Sequence, residues 1–131
     1  MTSFAHQVAE FNEVVLGIAP RFQMPLGEAE LKLTLHCLRE EVDEFEEAAQ
    51  GSDYVGMVDA LIDLQYFALG ALYKMGVTPD KVVKCCTAVH QANMTKKRGV
   101  KAGRGDGSAA DAIKPEGWIT PEERIGSILE E

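Results

Sequence analysis

Six of the eight residues from Glu40 to Glu47 are acidic, in the run REEVDEFEE. Like charges three or four apart on a helix repel by ~0.2–0.5 kcal/mol per pair, so Glu40/Glu44, Glu41/Glu44 and Asp43/Glu47 all oppose the helix that carries them. A second pair, Asp59 and Asp63, lies inside the apolar run YVGMVDALIDLQYFALGALY, which has no basic residue before Lys74. A carboxylate taken out of water without a partner is expensive. Two acidic helix faces brought together offer only oxygen ligands, the set that suits Mg²⁺ or Mn²⁺. Salt bridges from other helices, or plain exposure, are the alternative for Asp59 and Asp63. For Asp43, Glu46 and Glu47 a solvated charged face is the simpler reading.

Helical geometry sorts the first group. At about 100° per residue from Val42, Glu41 lies about 100° to one side, Glu44 about 160° to the same side and Glu40 about 160° to the other. Glu41 is therefore expected to border the apolar stripe, with Glu44 and Glu40 continuing an acidic arc beside it. A partly buried carboxylate there still reaches a cleft.

The bases are clustered too. Lys96, Lys97, Arg98, Lys101, Arg104 and Lys114 are six of the 13 Lys and Arg in a chain of net charge −8. Such asymmetry points either to a solubilising tail or to an anion site. The net acidity argues against non-specific binding of nucleic acid or an anionic membrane. A polyphosphate would need a metal ion or this basic patch to reverse the sign.

Several other chemistries are excluded. A di-iron bundle site would need Glu-x-x-His, but Leu33 and Thr87 stand three before His36 and His90. The Ca²⁺-loop pattern is absent, and GRGDG at 103–107 lacks the Gly-Lys-Ser/Thr of a phosphate loop. Cys37, Cys85 and Cys86 form no C-x-x-C pair, so neither a zinc ribbon nor a disulfide framework is supported. Free thiols, with no basic and then apolar leader, give the expectation of a cytoplasmic protein.

These residues must be held by helices. A chain of 131 residues is expected to form a single domain. Ser3 is placed to cap a first helix reaching about Leu16, and 17–27 reads as a loop. Leu31, Leu35, Leu38, Val42, Phe45 and Ala49 step by 4, 3, 4, 3, 4 along a second helix, 28–50, as in a packed bundle. Asp53 caps a third helix to about Met75, followed by Gly76. Asp59 and Asp63 argue against a membrane span there, at ~2.5–3.5 kcal/mol each in mid-bilayer, so a buried helix is expected. Pro79 opens a fourth helix to about Lys97. No strand pattern of useful length appears, and Thr120-Pro121 starts a short last helix. The expectation is an all-α four-helix bundle with its helical core at about 3–97 and a basic, glycine-rich, irregular tail over 98–131. The nearly all-round apolar third helix predicts a homodimer or homotetramer.

Glu40-Glu41-x-x-Glu44, with an acidic pair on the next helix, resembles the MazG-like all-α nucleoside triphosphate pyrophosphohydrolases. That superfamily includes dimeric dUTPases and phosphoribosyl-ATP pyrophosphohydrolase. The family pattern E-E-x-x-E then E-x-x-D is altered in DALID: Ala60 stands where the family has Glu, and Asp59 would substitute from one position earlier. Asn93-Met94-Thr95-Lys96, Asp106-Gly107 and Lys114-Pro-Glu-Gly-Trp118 are similar to segments of small phage and bacterial members, the MazZ-like type. The resemblance covers residues 28 to about 121.

The resemblance implies hydrolysis of a nucleoside triphosphate to monophosphate and diphosphate, in the bundle of the MazG and dimeric-dUTPase type. Glu41, Glu44, Asp59 and Asp63 would hold two or more Mg²⁺ or Mn²⁺, and Glu40 would orient or deprotonate the attacking water. Lys96, Lys97 and Lys114 would bind phosphates, Asn93 sugar or phosphate, and Trp118 the base; Tyr66 reads as core. The phage-like tail points toward a purine deoxynucleotide such as dGTP, and toward the host cytoplasm if the protein is phage-encoded. The alternatives are phosphoribosyl-ATP or dUTP as substrate, or a non-catalytic helical module whose acidic patch binds a partner.

Overall fold

Ser3 accepts a hydrogen bond from the His6 N–H at 3.2 Å and so satisfies one of the free amides that open α1 (Phe4–Val14). This computed structural model describes residues 2–101 and 111–131. The expected helices are present: α2 (Glu28–Gln50), α3 (Tyr54–Lys74), α4 (Pro79–Asn93) and α5 (Glu122–Leu129). The architecture is all-α, with one small two-stranded ribbon. The chain divides into two compact units, Met1–Val82 and Val83–Glu131.

In the first unit the turn at Gly51–Asp53 folds α3 back along α2, and α1 packs on α3. The Asp53 side chain accepts from the Gly56 N–H at 2.9 Å, capping α3 as the sequence predicts. Val8 and Asn12 of α1 are buried, and Gly70 of α3 lies opposite them: a Cβ at Gly70 would stand 3.5 Å from Asn12 Nδ2. Phe4 and Phe11 meet Tyr66 edge-on, at 5.6 and 5.4 Å between ring centroids, so Tyr66 is packed as expected. The loop before α2 is anchored from three sides. Tyr73 Oη donates to the Ile18 carbonyl at 2.6 Å, Arg21 forks onto Glu30, and the Met24 N–H reaches the Met75 carbonyl at 3.0 Å. Gly76, at φ +81°, ends α3 where a Cβ would overlap the Phe22 carbonyl.

The α2 stripe is rotated from its expected setting. Thr34, Cys37, Leu38, Glu41, Phe45 and Ala48 are buried or half-buried, while Leu31, Leu35, Val42 and Ala49 are exposed. Only Leu38 and Phe45 belong to both sets. The physical reason is that apolar side chains span nearly half of α2's circumference and packing within the unit covers one side of that arc; Val42, the arc's expected centre, remains 53 % exposed. Helix α3 is likewise not the buried helix expected. It is long and apolar enough to cross a membrane by length and composition alone, yet only 11 % of that stretch is buried. Ala60, Gly70 and Tyr73 are buried, whereas Val55, Val58, Leu61 and Ile62 are exposed.

In the second unit α4 ends at Asn93, not near Lys97, so Met94, Thr95 and Lys96 lie beyond the helix. Thr95 explains the stop: its Oγ1 donates to the Ala92 carbonyl at 2.6 Å, and its own amide turns to the same oxygen. The chain then enters β1 (Lys97–Gly99), paired antiparallel with β2 (Asp111–Ile113) in the register Lys97↔Ile113, Arg98↔Ala112, Gly99↔Asp111. The tail is thus more regular than expected; three-residue strands are too short to leave an alternating pattern. Ile128 of α5 is buried, and Lys84 pairs with Glu131 at 2.6 Å. Arg104, Asp106 and Gly107 lie outside the described residues.

Candidate active site

The α2–α3 hairpin brings the acidic runs together within the first unit. Glu41, at 7 % exposure, is the one buried residue of α2. It sits within the packed arc of that helix rather than on its border. Its Oε2 is out of solvent contact and has no hydrogen-bond partner. Asp63 of α3 is half-buried, while Glu44 and Asp59 are exposed. The expectation of a buried Asp59 is therefore corrected: it is exposed and lines an open cleft, while Glu41 is the buried acid. Ala60, the residue after Asp59, points into the packing instead, at 2 % exposure.

The electrostatics tie the four acids into one group. Burial pushes the Glu41 carboxyl up to about 7, helped by a hydrogen bond with Glu44 and then by the charges of Glu44, Asp63 and Asp59. Asp63 is raised as well, by burial first and then by Asp59 and Glu44. Among the described residues no three His, Cys, Asp or Glu side chains already stand as a formed metal site. Like charges with no cation between them oppose one another's ionisation, which adds to the effect of burial at Glu41 and Asp63. A buried carboxylate oxygen with no partner, within electrostatic reach of three further acids, fits a hard divalent cation with oxygen ligands.

Glu44 and Asp59 also line an open cleft with Glu47, Asp53 and Gly56. From the sequence, Glu47 reads as part of a solvated face and Asp53 as a helix cap only, although the same helical wheel places Glu47 about 60° from Glu44. Gly56 admits the close approach of α3: a Cβ there would overlap the Asp53 carboxylate and stand 3.2 Å from the Ala48 methyl. Glu40 pairs with His36 one turn earlier on α2. A second cavity of about 140 Å³ in this unit is lined by Phe11, Asn12, Cys37, Tyr66 and Phe67 among others. Asn12 Nδ2 donates to the Val8 carbonyl at 2.9 Å, and its buried Oδ1 has no partner.

The remaining candidates belong to the second unit. Asn93 is the last residue of α4, and Lys97 is exposed on β1. Lys96 and Lys114 each place their ammonium 5.0 Å from the centroid of the Trp118 ring. The Trp118 Nε1–H donates to the Ala92 carbonyl at 3.0 Å.

Comparison with known proteins agrees with the acidic helices. The sequence profile of the phosphoribosyl-ATP pyrophosphohydrolase family matches residues 8–93, which run from within α1 to the end of α4 and take in all four clustered acids but stop short of Lys96, Lys114 and Trp118. No curated protein matches the chain. The family reaction is the hydrolysis of an acid anhydride in a nucleotide-like substrate. The chain belongs to the phosphoribosyl-ATP pyrophosphohydrolase family, within the MazG-like all-α pyrophosphohydrolases.

Proposed function

We propose that the protein is a metal-dependent nucleoside triphosphate pyrophosphohydrolase, converting a (d)NTP and water to the monophosphate and diphosphate. The observation that carries this reading is the partnerless Glu41 Oε2 among Glu44, Asp59 and Asp63. Glu41, Glu44, Asp59 and Asp63 would hold two or more Mg²⁺ or Mn²⁺. When bound, such ions neutralise phosphate charge and acidify water. Glu41 supplies an anchor whose burial restricts its rotamers, and the exposed Glu44 and Asp59 remain free to adjust to the ligand. Glu40, held by His36 one turn from Glu44, is assigned to orient the attacking water or accept its proton.

Lys96, Lys97 and Lys114 are assigned to the phosphate chain and Asn93 to sugar or phosphate. A flat aromatic ligand suits the cavity beside Phe11, Tyr66 and Phe67, where the Asn12 carbonyl lacks a donor. This supports a nucleotide over a simple polyphosphate, and within that class we favour a purine deoxynucleotide such as dGTP. The exposed apolar sides of α2 and α3 support a homodimer or homotetramer, and the setting we propose is the cytoplasm.

Product identification with Mg²⁺ or Mn²⁺ over the common NTPs and dNTPs, with phosphoribosyl-ATP and dUTP in the same panel, tests the reading. Turnover of a purine dNTP to dNMP and diphosphate is the expected result. Turnover of phosphoribosyl-ATP alone would replace the proposed substrate. No turnover of any member would favour an interaction module.

A further inference from the structure

The ribbon of the second unit makes an unusual demand on two lysines. Its register pairs Lys97 with Ile113, and one step further along both strands places Lys96 opposite Lys114. Directly opposed side chains in an antiparallel pair lie on the same face and interact, and like charges in that position oppose the pairing. Both ammonium groups nevertheless converge, each 5.0 Å from the ring centroid of Trp118. They are therefore no more than twice that distance apart. Among the described residues neither lysine has a carboxylate partner, in a protein with 21 acids against 13 bases.

Trp118 is built to hold this pair. Its amide N–H returns to the Pro115 carbonyl at 3.0 Å, closing the turn that begins after Lys114. Its Nε1–H is tied to the Ala92 carbonyl at the end of α4, and the ring is half-buried. The ring is thus fixed at both its backbone and its nitrogen. The ring quadrupole attracts each cation, which compensates in part for their mutual repulsion while leaving both charges available.

We propose that Trp118 is a positioning residue, not a base-stacking one, and that it holds Lys96 and Lys114 as a two-cation clamp for a phosphate-chain anion without any metal. Two ammonium groups fixed by one indole match an anion with charge on more than one phosphate. The identification of that anion as a nucleotide's phosphate chain rests on the function proposed above; the clamp itself does not.

Trp118 is the only tryptophan, so its emission reports on the site in the full, unmodified chain. Titration with inorganic tripolyphosphate, in excess chelator, is expected to change that emission saturably. Lys96→Gln and Lys114→Gln should each weaken binding at least fivefold. Followed by calorimetry, Trp118→Phe should bind within about threefold of wild type, because a benzene ring keeps part of the cation attraction. Trp118→Leu should bind as poorly as the lysine variants while keeping the wild-type helical content. Full-affinity binding by either lysine variant, or by Trp118→Leu, would overturn the clamp, as would a wild-type protein with no response. Tripolyphosphate binding intact in a protein that hydrolyses no nucleotide would support the clamp and defeat the enzymatic reading alone.

Discussion

The Glu41 carboxyl, buried on α2, lies close enough to Glu44 one turn along the same helix that the Glu44 charge disfavours its ionisation. A carboxyl held at about 7 in the folded protein, against its ordinary value of 4.5, binds a proton that the unfolded chain has already lost. Between those values the folded state carries more protons, so stability rises as pH falls through about 7 toward the ordinary carboxyl range. Asp63, also raised, acts in the same direction. The expected outcome for the metal-free protein is a higher melting temperature at pH 5.5 than at pH 8. Saturating Mg²⁺ should remove or reverse the difference, and Glu41→Gln should flatten it. A metal-free melting temperature that falls on acidification over this range would contradict the arrangement.

The acids should not be equivalent in turnover. Glu41→Gln and Asp63→Asn remove the more enclosed ligands, and each should lower activity by at least the roughly 100-fold that losing a metal site's outer-shell partner can cost. Asp59→Asn, at an exposed position, should cost less. Steady-state rates across Mg²⁺ concentration check the ranking, with a shift to higher metal requirement in all three.

Burial of the chain's own apolar surface predicts association. Leu31, Leu35 and Val42 on α2 and Val55, Val58 and Ile62 on α3 are exposed, more apolar helix surface than a monomer usually leaves in water. Light scattering should give a dimer or tetramer, and the pair Leu35→Glu with Val42→Glu should reduce the mass without loss of helical content. A monomeric wild type at micromolar concentration would refute this.

Gly76 should be intolerant of a side chain. At φ +81° an alanine pays about 1–2 kcal/mol for the left-handed backbone, and its methyl would also overlap the Phe22 carbonyl. Gly76→Ala is expected to lower stability by about 2 kcal/mol or more in denaturant unfolding. Gly17→Ala, also at positive φ but with open space around it, should cost only the backbone part.

Helix positions were legible because they rest on local signals: Ser3 and Asp53 as caps, Pro79 as a first-turn residue, Gly76 as a stop. The rotation of α2 was not, since a wheel with apolar residues over nearly half its circumference does not say which side meets α3. For the same reason Glu41 read as a border residue and Asp59 as a buried one, when the packing inverts their exposure. That acidic faces of α2 and α3 meet was legible from charge that lacked local partners, whereas the set Glu41, Glu44, Asp59 and Asp63 came only from the family resemblance. The Lys96–Lys114 opposition was invisible, because it depends on the register of two three-residue strands separated by a glycine-rich segment.

We propose that the carboxylates around Glu41 drive metal-dependent cleavage of a nucleotide anhydride. Phosphorus NMR of a purine dNTP incubated with the wild-type protein and with Glu41→Gln, each in Mg²⁺ and in excess chelator, tests it most directly. The expected result is dNMP and inorganic diphosphate from the wild type in Mg²⁺, and unchanged substrate in the other three samples. Undiminished diphosphate release by Glu41→Gln, or by the wild type in chelator, would contradict it.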